Sequence, residues 1–233
     1  MITPSIEALG DSALLIRLGD RIDDALNDAA IDLSDFLRSQ KLTGVREVAP
    51  AYASVCVRYD ITAFASGTNA FDDISERVRR AMADVVGIKR ERQTPDPVEI
   101  PVCYGGPFGL DLADVAAHCG IGIAEVIDRH ASPEYVVAML GFMPGFPYLR
   151  GLDDRLHTPR RATPRTRVPA GSVAIGGAQT GVYPSELPGG WLLIGRTPLT
   201  LFDPSRTQPA LLLPGQRVRF KPIDAHEFDT ERA

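Results

Sequence analysis

Three segments rich in glycine and proline hold the side chains of this sequence that are best suited to bind a small molecule. The first, 141–149, places Phe142, Phe146 and Tyr148 around a Pro-Gly pair, which predicts a tight turn crowded by aromatic rings. Such rings offer large apolar contact areas. The residue types leave two readings open, a turn that is simply plugged by its own aromatic side chains and an apolar wall of a binding site.

The second segment, 158–169, carries Arg160, Arg161, Arg165 and Arg167 on a loop stiffened by prolines. Arginine binds carboxylates and phosphates through a planar, bidentate group. A rigid loop that holds like charges together costs free energy unless an anion or an acidic surface answers them. The alternative is an ordinary solvated charged face.

The third segment, 171–191, combines glycines with polar side chains. Glycines let the backbone approach a ligand closely, and Gln179, Thr180 and Tyr183 supply directional hydrogen bonds. The alternative is a bulged hairpin whose polar side chains face water.

Together the three segments predict one cleft that binds an anion or a partner. Its predicted lining residues are Phe146 as an apolar wall, Arg160, Arg165, Gln179 and Tyr183. His130 is a further candidate for binding, although a histidine at the end of a predicted helix can also act as a cation that caps the helix favourably.

The familiar catalytic motifs are not found in the sequence. Residues 176–181 have the glycine spacing of a P-loop, but Val182 and Tyr183 replace its Lys and Ser/Thr. His118 and Cys119 adjoin, yet neighbouring side chains on a helix diverge by about 100°, which makes a poor chelate. We therefore predict no metal site, and the catalytic residues remain unassigned.

The charge distribution indicates the class of partner. The chain of 233 residues is 44% hydrophobic and 24% charged with a net charge of −5, which is ordinary globular composition and excludes a disordered chain. Residues 141–221 nevertheless carry 11 basic against 4 acidic side chains. An acidic protein with one basic segment is expected to repel nucleic acid and membranes and to present a cationic surface to a small anion or an acidic partner.

The cysteine content and the amino terminus predict a cytoplasmic protein. Cys56, Cys103 and Cys119 are an odd number of scattered thiols, which is typical of a reducing compartment. The first residues lack the basic and apolar stretches of a signal peptide, and the longest apolar stretch, 135–146, is too short to span a bilayer.

Periodicity divides the chain into two predicted domains, 1–90 and 91–233. The first ninety residues read as β-β-α-β-β-α, a small α+β sandwich with helices over 23–40 and 71–86. A charged, proline-containing linker follows at 88–97. We expect the two domains to be separable there.

The second predicted domain opens with a strand over 98–104, two helices over 111–118 and 123–130, the first capped by Asp111, and a strand over 134–140. The helix pair has the outline of a helix-turn-helix, but its second helix is too acidic to contact DNA. After residue 141 short apolar runs alternate with glycine and proline, which favours a sandwich or barrel.

These segments, at this order and spacing, resemble the allophanate hydrolase subunit 1 family. The resemblance runs nearly end to end and includes the string Ile100-Pro-Val-Cys-Tyr-Gly-Gly106, the predicted helix at 111–120 and the string 193–203. It implies an α+β fold class, with a small amino-terminal α/β sandwich followed by a carboxy-terminal cyclophilin-like β-barrel.

The resemblance also implies a function in a complex. Members of this family include the B subunit of bacterial 5-oxoprolinase, which works with subunits A and C to open 5-oxoproline to glutamate using ATP. The chain alone is then expected to be inactive and to bind no cofactor itself, with ATP used by the complex. Two alternatives remain, a KipI-like inhibitor that binds a sensor histidine kinase and a member of another amide- or urea-processing complex.

Overall fold

The computed structural model describes residues 4–64, 69–83 and 96–232. The chain divides into two compact units, 1–93 and 94–233. Most of the predicted linker, residues 88–95, lies outside the described residues. That the domains fold independently and separate at the linker stays a prediction.

The first unit is a four-stranded antiparallel sheet with two helices, in the predicted element order. Alternate side chains of two central strands, among them Leu14, Ile16, Val55 and Val57, form one apolar core with residues of both helices. The predicted end of the second helix, residues 84–86, lies outside the described residues. The elements are β1 (Ser5–Ala8), β2 (Ala13–Arg17), α1 (Asp24–Ser39), β3 (Val45–Ala51), β4 (Ser54–Tyr59) and α2 (Ala70–Ala83), and the sheet order is β1-β2-β4-β3.

The second unit is built on a closed barrel of seven strands, which confirms the predicted α+β fold with a carboxy-terminal barrel. The barrel strands are β5 (Val98–Tyr104), β6 (Tyr135–Leu140), β7 (Pro147–Arg150), β9 (Ser172–Gly176), β10 (Gln179–Val182), β12 (Leu192–Arg196) and β13 (Arg217–Ile223). Around the barrel they run β10-β7-β6-β13-β5-β12-β9. Two further strands, β8 (Arg165–Val168) and β11 (Leu187–Gly189), form a separate two-stranded sheet.

The described residues of the barrel unit form three α-helices, α3 (Leu112–Cys119), α4 (Ile123–Ala131) and α5 (Ala225–Arg232). Leu112, Val115 and Val126 of the predicted helix pair are buried in the barrel core. The predicted cap at Asp111 is wrong. Asp111 precedes α3, but its side chain makes no capping hydrogen bond because donors elsewhere occupy both carboxylate oxygens.

No helix in the part of the chain that the structure describes is long and apolar enough to cross a membrane.

Candidate functional site

The turn before β7, the arginine-rich loop before β8 and the residues around β11 enclose a cavity of about 320 Å³, which we call the aromatic pocket. Its lining residues are Phe142, Phe146, Tyr148, Arg160, Arg161, Pro164, Tyr183, Pro188, Gly189, Gly190 and Trp191. The pocket therefore brings together three of the predicted site residues, Phe146, Arg160 and Tyr183.

Four aromatic rings pack against one another to form the apolar side of the pocket. The ring of Phe146 lies 5.2 Å from that of Tyr183 and 5.6 Å from that of Trp191, both edge to face, and 4.9 Å from that of Tyr148. Edge-to-face contacts at such distances are favourable because the positive ring edge meets the negative ring face. Interlocked rings form a wall that is rigid before any ligand arrives.

Glycines make this packing possible. A Cβ atom at Gly176 would lie 2.6 Å from the indole ring of Trp191, and one at Gly181 would lie 2.7 Å from the carbonyl oxygen of Pro147 and 3.1 Å from the ring of Phe146. The role expected for these glycines is the close approach of a ligand to the backbone. In the structure they instead make room for the aromatic wall itself.

Tyr183 contributes a hydrogen-bonding group to this apolar surface. Its hydroxyl oxygen accepts a hydrogen bond from the backbone N–H of Trp191. Burial raises the pKa of Tyr183, although the charges of Arg160 and Arg165 act in the opposite direction. The hydroxyl therefore stays protonated at neutral pH, and it can donate that proton to a ligand.

Arg160 supplies the positive charge of the pocket. Its guanidinium carbon lies 5.8 Å from the ring centroid of Trp191, within the range of a cation–π interaction. Among the described residues no carboxylate pairs with Arg160, and the residue is exposed. The group is held over an aromatic face while its hydrogen-bond donors are available to an anion.

The other three arginines of segment 158–169, Arg161 in the loop and Arg165 and Arg167 on β8, are neutralised within the molecule. Arg161 and Arg165 both bind the carboxylate of Asp111, at 3.1 Å and at 2.7 and 2.8 Å. Arg167 pairs with Glu186 at the surface. The like charges of the loop are therefore answered mainly by a carboxylate of the chain, and Arg165 does not line the pocket as predicted.

Gln179 and His130 also lie away from the pocket. Gln179 opens β10, where it pairs with Gly176, and is not one of the lining residues. His130 is fully buried in the barrel unit, with its ring stacked on Phe220. Their inclusion in one cleft with Arg160 is not supported by the geometry.

His130 is a neutral member of a buried hydrogen-bond network. Thr180 donates its hydroxyl proton to the carbonyl of Ala174, so the Nε2–H of His130 donates to Thr180 Oγ1 at 2.9 Å and the hydroxyl of Tyr104 donates to Nδ1 at 2.7 Å. Burial lowers the pKa of His130 to about 3. The alternative role as a cationic helix cap is therefore wrong.

Sequence reasoning missed Trp191, Tyr148, Arg161 and Asp111 as site residues. The string Pro-Gly-Gly-Trp at 188–191 carried a signal for Trp191, since it ends the third segment. Asp111 carried none, because it lies 50 positions from Arg161 and looks like an ordinary residue before a helix.

The arrangement is suited to binding rather than to acid–base catalysis. The pocket joins a flat apolar wall, the guanidinium of Arg160 and a tyrosine hydroxyl, and its lining contains no Asp, Glu, His or Cys. Within the described ranges no group of three or more such residues could hold a metal ion. A small, flat molecule that bears a carboxylate fits this chemistry best.

Two proteins with the same name are similar to this chain in sequence. A protein of Bacillus subtilis (strain 168) that is named as the B subunit of 5-oxoprolinase is 42% identical over 228 residues, which cover 96% of this chain and 94% of that protein. A protein of the same name from Escherichia coli O157:H7 is 57% identical over 150 residues, 64% of this chain and 67% of its own length.

The solved structure of TTHA0988 has the same architecture inside a longer polypeptide. TTHA0988 superposes with a TM-score of 0.76 at 36% identity over 91% of this chain, so this chain spans only 40% of the length of that relative. The N-terminal domain of the histidine kinase inhibitor KipI from Bacillus subtilis matches 38% of the chain with a TM-score of 0.32, which is too low to support the kinase-inhibitor alternative.

The family comparison covers both compact units. The sequence model of the family described as carboxyltransferase domain, subdomain C and D, matches residues 4–212. The three glycine- and proline-rich segments that suggested the resemblance lie inside this range. The chain therefore belongs to the carboxyltransferase-domain family of subdomains C and D, in agreement with its resemblance to the allophanate hydrolase subunit 1 proteins.

Proposed function

We propose that this chain is the B subunit of an ATP-dependent 5-oxoprolinase, a complex that opens 5-oxo-L-proline to L-glutamate. The observation that carries the proposal is the nearly full-length match to the Bacillus subtilis protein of that name. The match to the Escherichia coli protein and the chemistry of the aromatic pocket support it.

The reaction explains why such a pocket is needed. The lactam of 5-oxoproline is a stabilised amide and therefore a poor electrophile. Transfer of the terminal phosphoryl group of ATP to the lactam oxygen releases ADP and creates a leaving group. Water then adds to the ring carbon and the C–N bond breaks, which gives an acyl phosphate. A second water hydrolyses this acyl phosphate to the carboxylate of glutamate and inorganic phosphate. Holding the substrate in one orientation lowers the barrier to each of these steps.

In this proposal the aromatic pocket holds 5-oxoproline. The five-membered ring lies against Phe146 and Trp191, the carboxylate pairs with Arg160, and the hydroxyl of Tyr183 donates a hydrogen bond to the substrate. Charge-assisted pairing with a guanidinium is stronger than a neutral hydrogen bond, so Arg160 contributes most of the polar recognition. Arg165, Gln179 and His130 do not contact the substrate.

The A and C subunits supply the remaining parts of the site. The sequence has no phosphate-binding lysine loop, so we place ATP on one of these partners or at a shared interface, and we expect this chain alone to be inactive. Its three cysteines are free thiols, which supports a cytoplasmic location for the complex.

A second groove of about 540 Å³ adjoins the aromatic pocket, and we assign it to the C subunit. Phe142 and Met143 at its edge are 61% and 36% exposed, and Phe142 holds a φ of +63°, a conformation that is strained for a bulky residue. Phe142 lines both cavities. In TTHA0988 the part similar to this chain is joined to a longer stretch of polypeptide, which supports a large neighbour for this unit. The groove is lined by Leu140, Gly141, Phe142, Met143, Pro144, Gly145, Phe202, Gln208, Pro209, Ala210 and Leu213.

Reconstitution tests the proposal. The purified chain, the A and C subunits of the same organism, and all three together are assayed for 5-oxoproline-dependent release of ADP and glutamate. We expect turnover only with all three present. Turnover by this chain alone would contradict its dependence on partners, and failure of the assembled three-protein complex to consume 5-oxoproline would contradict the proposed function.

A further inference from the structure

We propose that Asp111 is the positioning residue of the aromatic pocket, holding Arg160 and Trp191 in register from outside the pocket. The inference rests on the proposed function for its kinetic consequence. Its structural basis is separate, because Asp111 does not line the pocket and its carboxylate is hydrogen-bonded to Arg161, Arg165 and the backbone of Leu193.

The carboxylate of Asp111 is fully used by donors from two distant segments. Oδ1 accepts from Arg161 Nη1 at 3.1 Å and from Arg165 Nη2 at 2.7 Å. Oδ2 accepts from Arg165 Nη1 at 2.8 Å and from the backbone N–H of Leu193 at 2.7 Å. With 1% of the residue exposed, water does not compete for these bonds. One side chain thus ties the arginine loop to the start of β12.

The Asp111 carboxylate binds these distant donors instead of capping the helix that follows it. The side chain of an aspartate directly before a helix normally accepts a hydrogen bond from the first turn of that helix, and the Asp111 carboxylate accepts none from α3. The backbone N–H of Asp111 donates to the carbonyl of Leu193 at 2.8 Å, so the two residues are joined in both directions. Helix α3 therefore has no side-chain cap, because the Asp111 carboxylate binds Arg161 of the arginine loop and the backbone of β12 instead.

Both partners of the cation–π contact, Arg160 and Trp191, lie next to or close to these anchored residues in the sequence. Arg160 precedes Arg161, whose backbone N–H also donates to the carbonyl of Gly190 at 2.7 Å. Trp191 lies between Gly190 and the anchored Leu193. The positions of the guanidinium and of the indole are therefore both set by Asp111 through the neighbouring residues that its carboxylate binds.

Trp191 gives a readout that does not depend on catalysis, since it is the only tryptophan of the chain. In Asp111→Asn an amide NH₂ replaces one oxygen and faces donors, which breaks part of the network while keeping the shape. We expect quenching of Trp191 fluorescence by neutral acrylamide to rise at least about twofold in the full-length chain below its unfolding transition. Arg165→Gln, which weakens the same network from the loop side, is expected to act in the same direction.

The kinetic arm uses the reconstituted complex and a double-mutant cycle. Asp111→Asn is expected to raise the KM for 5-oxoproline about tenfold with kcat changed by less than about twofold, and to add less than about twofold when Arg160 is already alanine. Asp153→Asn is the matched control, because Asp153 binds Arg129 at 2.8 Å in the same unit without facing the pocket. It is expected to change neither quenching nor KM.

Unchanged quenching in both Asp111→Asn and Arg165→Gln overturns the inference, whatever the complex does. A rise in KM that is the same with and without Arg160 also overturns it, since Asp111 would then not act through that residue. A wild-type complex that does not consume 5-oxoproline contradicts the proposed function instead, and the fluorescence arm still decides the role of Asp111.

Discussion

Asp73 in the first compact unit and Asp111 in the barrel unit pair with arginine in different ways. In the first unit, pairs such as Arg77–Asp73 at 2.8 Å join residues one helical turn apart on a half-exposed surface. In the barrel unit, a buried Asp111 joins Arg161 and Arg165, which lie 50 and 54 positions along the chain. Exposed local pairs contribute little to stability, whereas a buried carboxylate requires every partner it has. The Asp111 network therefore holds Arg161, which lines the aromatic pocket, whereas the Arg77–Asp73 pair stays on one helix.

The largest expected effect is on the free energy of unfolding, when the carboxylate is removed from each of these two kinds of ion pair. Asp111→Ala leaves two guanidinium groups without their shared partner and is expected to lower the free energy of unfolding of the barrel unit by about 2–4 kcal/mol, reduced from the fully buried case because both arginines are partly exposed. Asp73→Ala is expected to cost less than about 0.5 kcal/mol. Chemical denaturation followed by circular dichroism measures both, and equal losses would erase the distinction between the units.

The next effect separates binding from stability within the arginine loop. Arg160→Ala is expected to lower kcat/KM for 5-oxoproline about 100-fold in the reconstituted complex, because it removes the charge-assisted contact to the substrate. The melting temperature of the chain should change little, since Arg160 is exposed. Arg167→Ala is the control, as an exposed arginine of the following strand β8 that pairs with Glu186. A similar kinetic loss in both variants would mean that only the charge of the loop matters.

Assembly provides a smaller effect. Phe142→Asn removes the exposed ring from the groove while an asparagine tolerates the positive φ at this position. We expect binding of the C subunit, measured by titration of the purified proteins, to weaken about tenfold. Ile123→Asn replaces an exposed apolar residue outside the groove and should leave binding unchanged. Tight binding by the Phe142 variant would place the C subunit elsewhere.

The smallest expected effect is the loss of stability at acid pH. It should concern the barrel unit, because all four histidines lie beyond residue 93. The pKa of His130 is lowered to about 3 in the folded chain, so below its unfolded value near 6.5 the unfolded chain takes up a proton that the native chain does not. The free energy of unfolding of the barrel unit should therefore decrease as the pH is lowered, by about 1 kcal/mol per pH unit between pH 6 and 4.

The variant His130→Gln should remove most of this slope from denaturation curves measured at each pH. His226→Gln, at an exposed position of the same unit, should keep it. A wild-type slope in the His130 variant would show that other groups cause the loss.

Much of the fold could be predicted from the sequence, because helix and strand periods and glycine–proline punctuation are local signals. The helix over 24–39, the strand over 98–104 and the barrel all match their expectations. The site was predicted in part. Phe146, Arg160 and Tyr183 lie in one pocket because the proline- or glycine-rich segments that hold them meet at one place on the barrel.

The parts of the site that could not be predicted depend on contacts between residues far apart in the sequence. Arg160 and Arg165 look alike in the sequence, and only the distant Asp111 decides that one faces the pocket and the other does not. Similarly, a histidine at a helix end looks like a cap until the barrel closes over it and excludes water. Residue type and spacing carry no information about such partners.

The most direct test of the account compares 5-oxoproline with 2-pyrrolidinone, which has the same lactam ring without the carboxylate. In the wild-type complex 5-oxoproline should bind about 100-fold more tightly, measured as KM against the inhibition constant of 2-pyrrolidinone. With Arg160→Ala this preference should fall to within about threefold, while the inhibition constant of 2-pyrrolidinone stays the same. A preference that survives the loss of Arg160 would contradict the claim that the aromatic pocket of this chain binds the substrate.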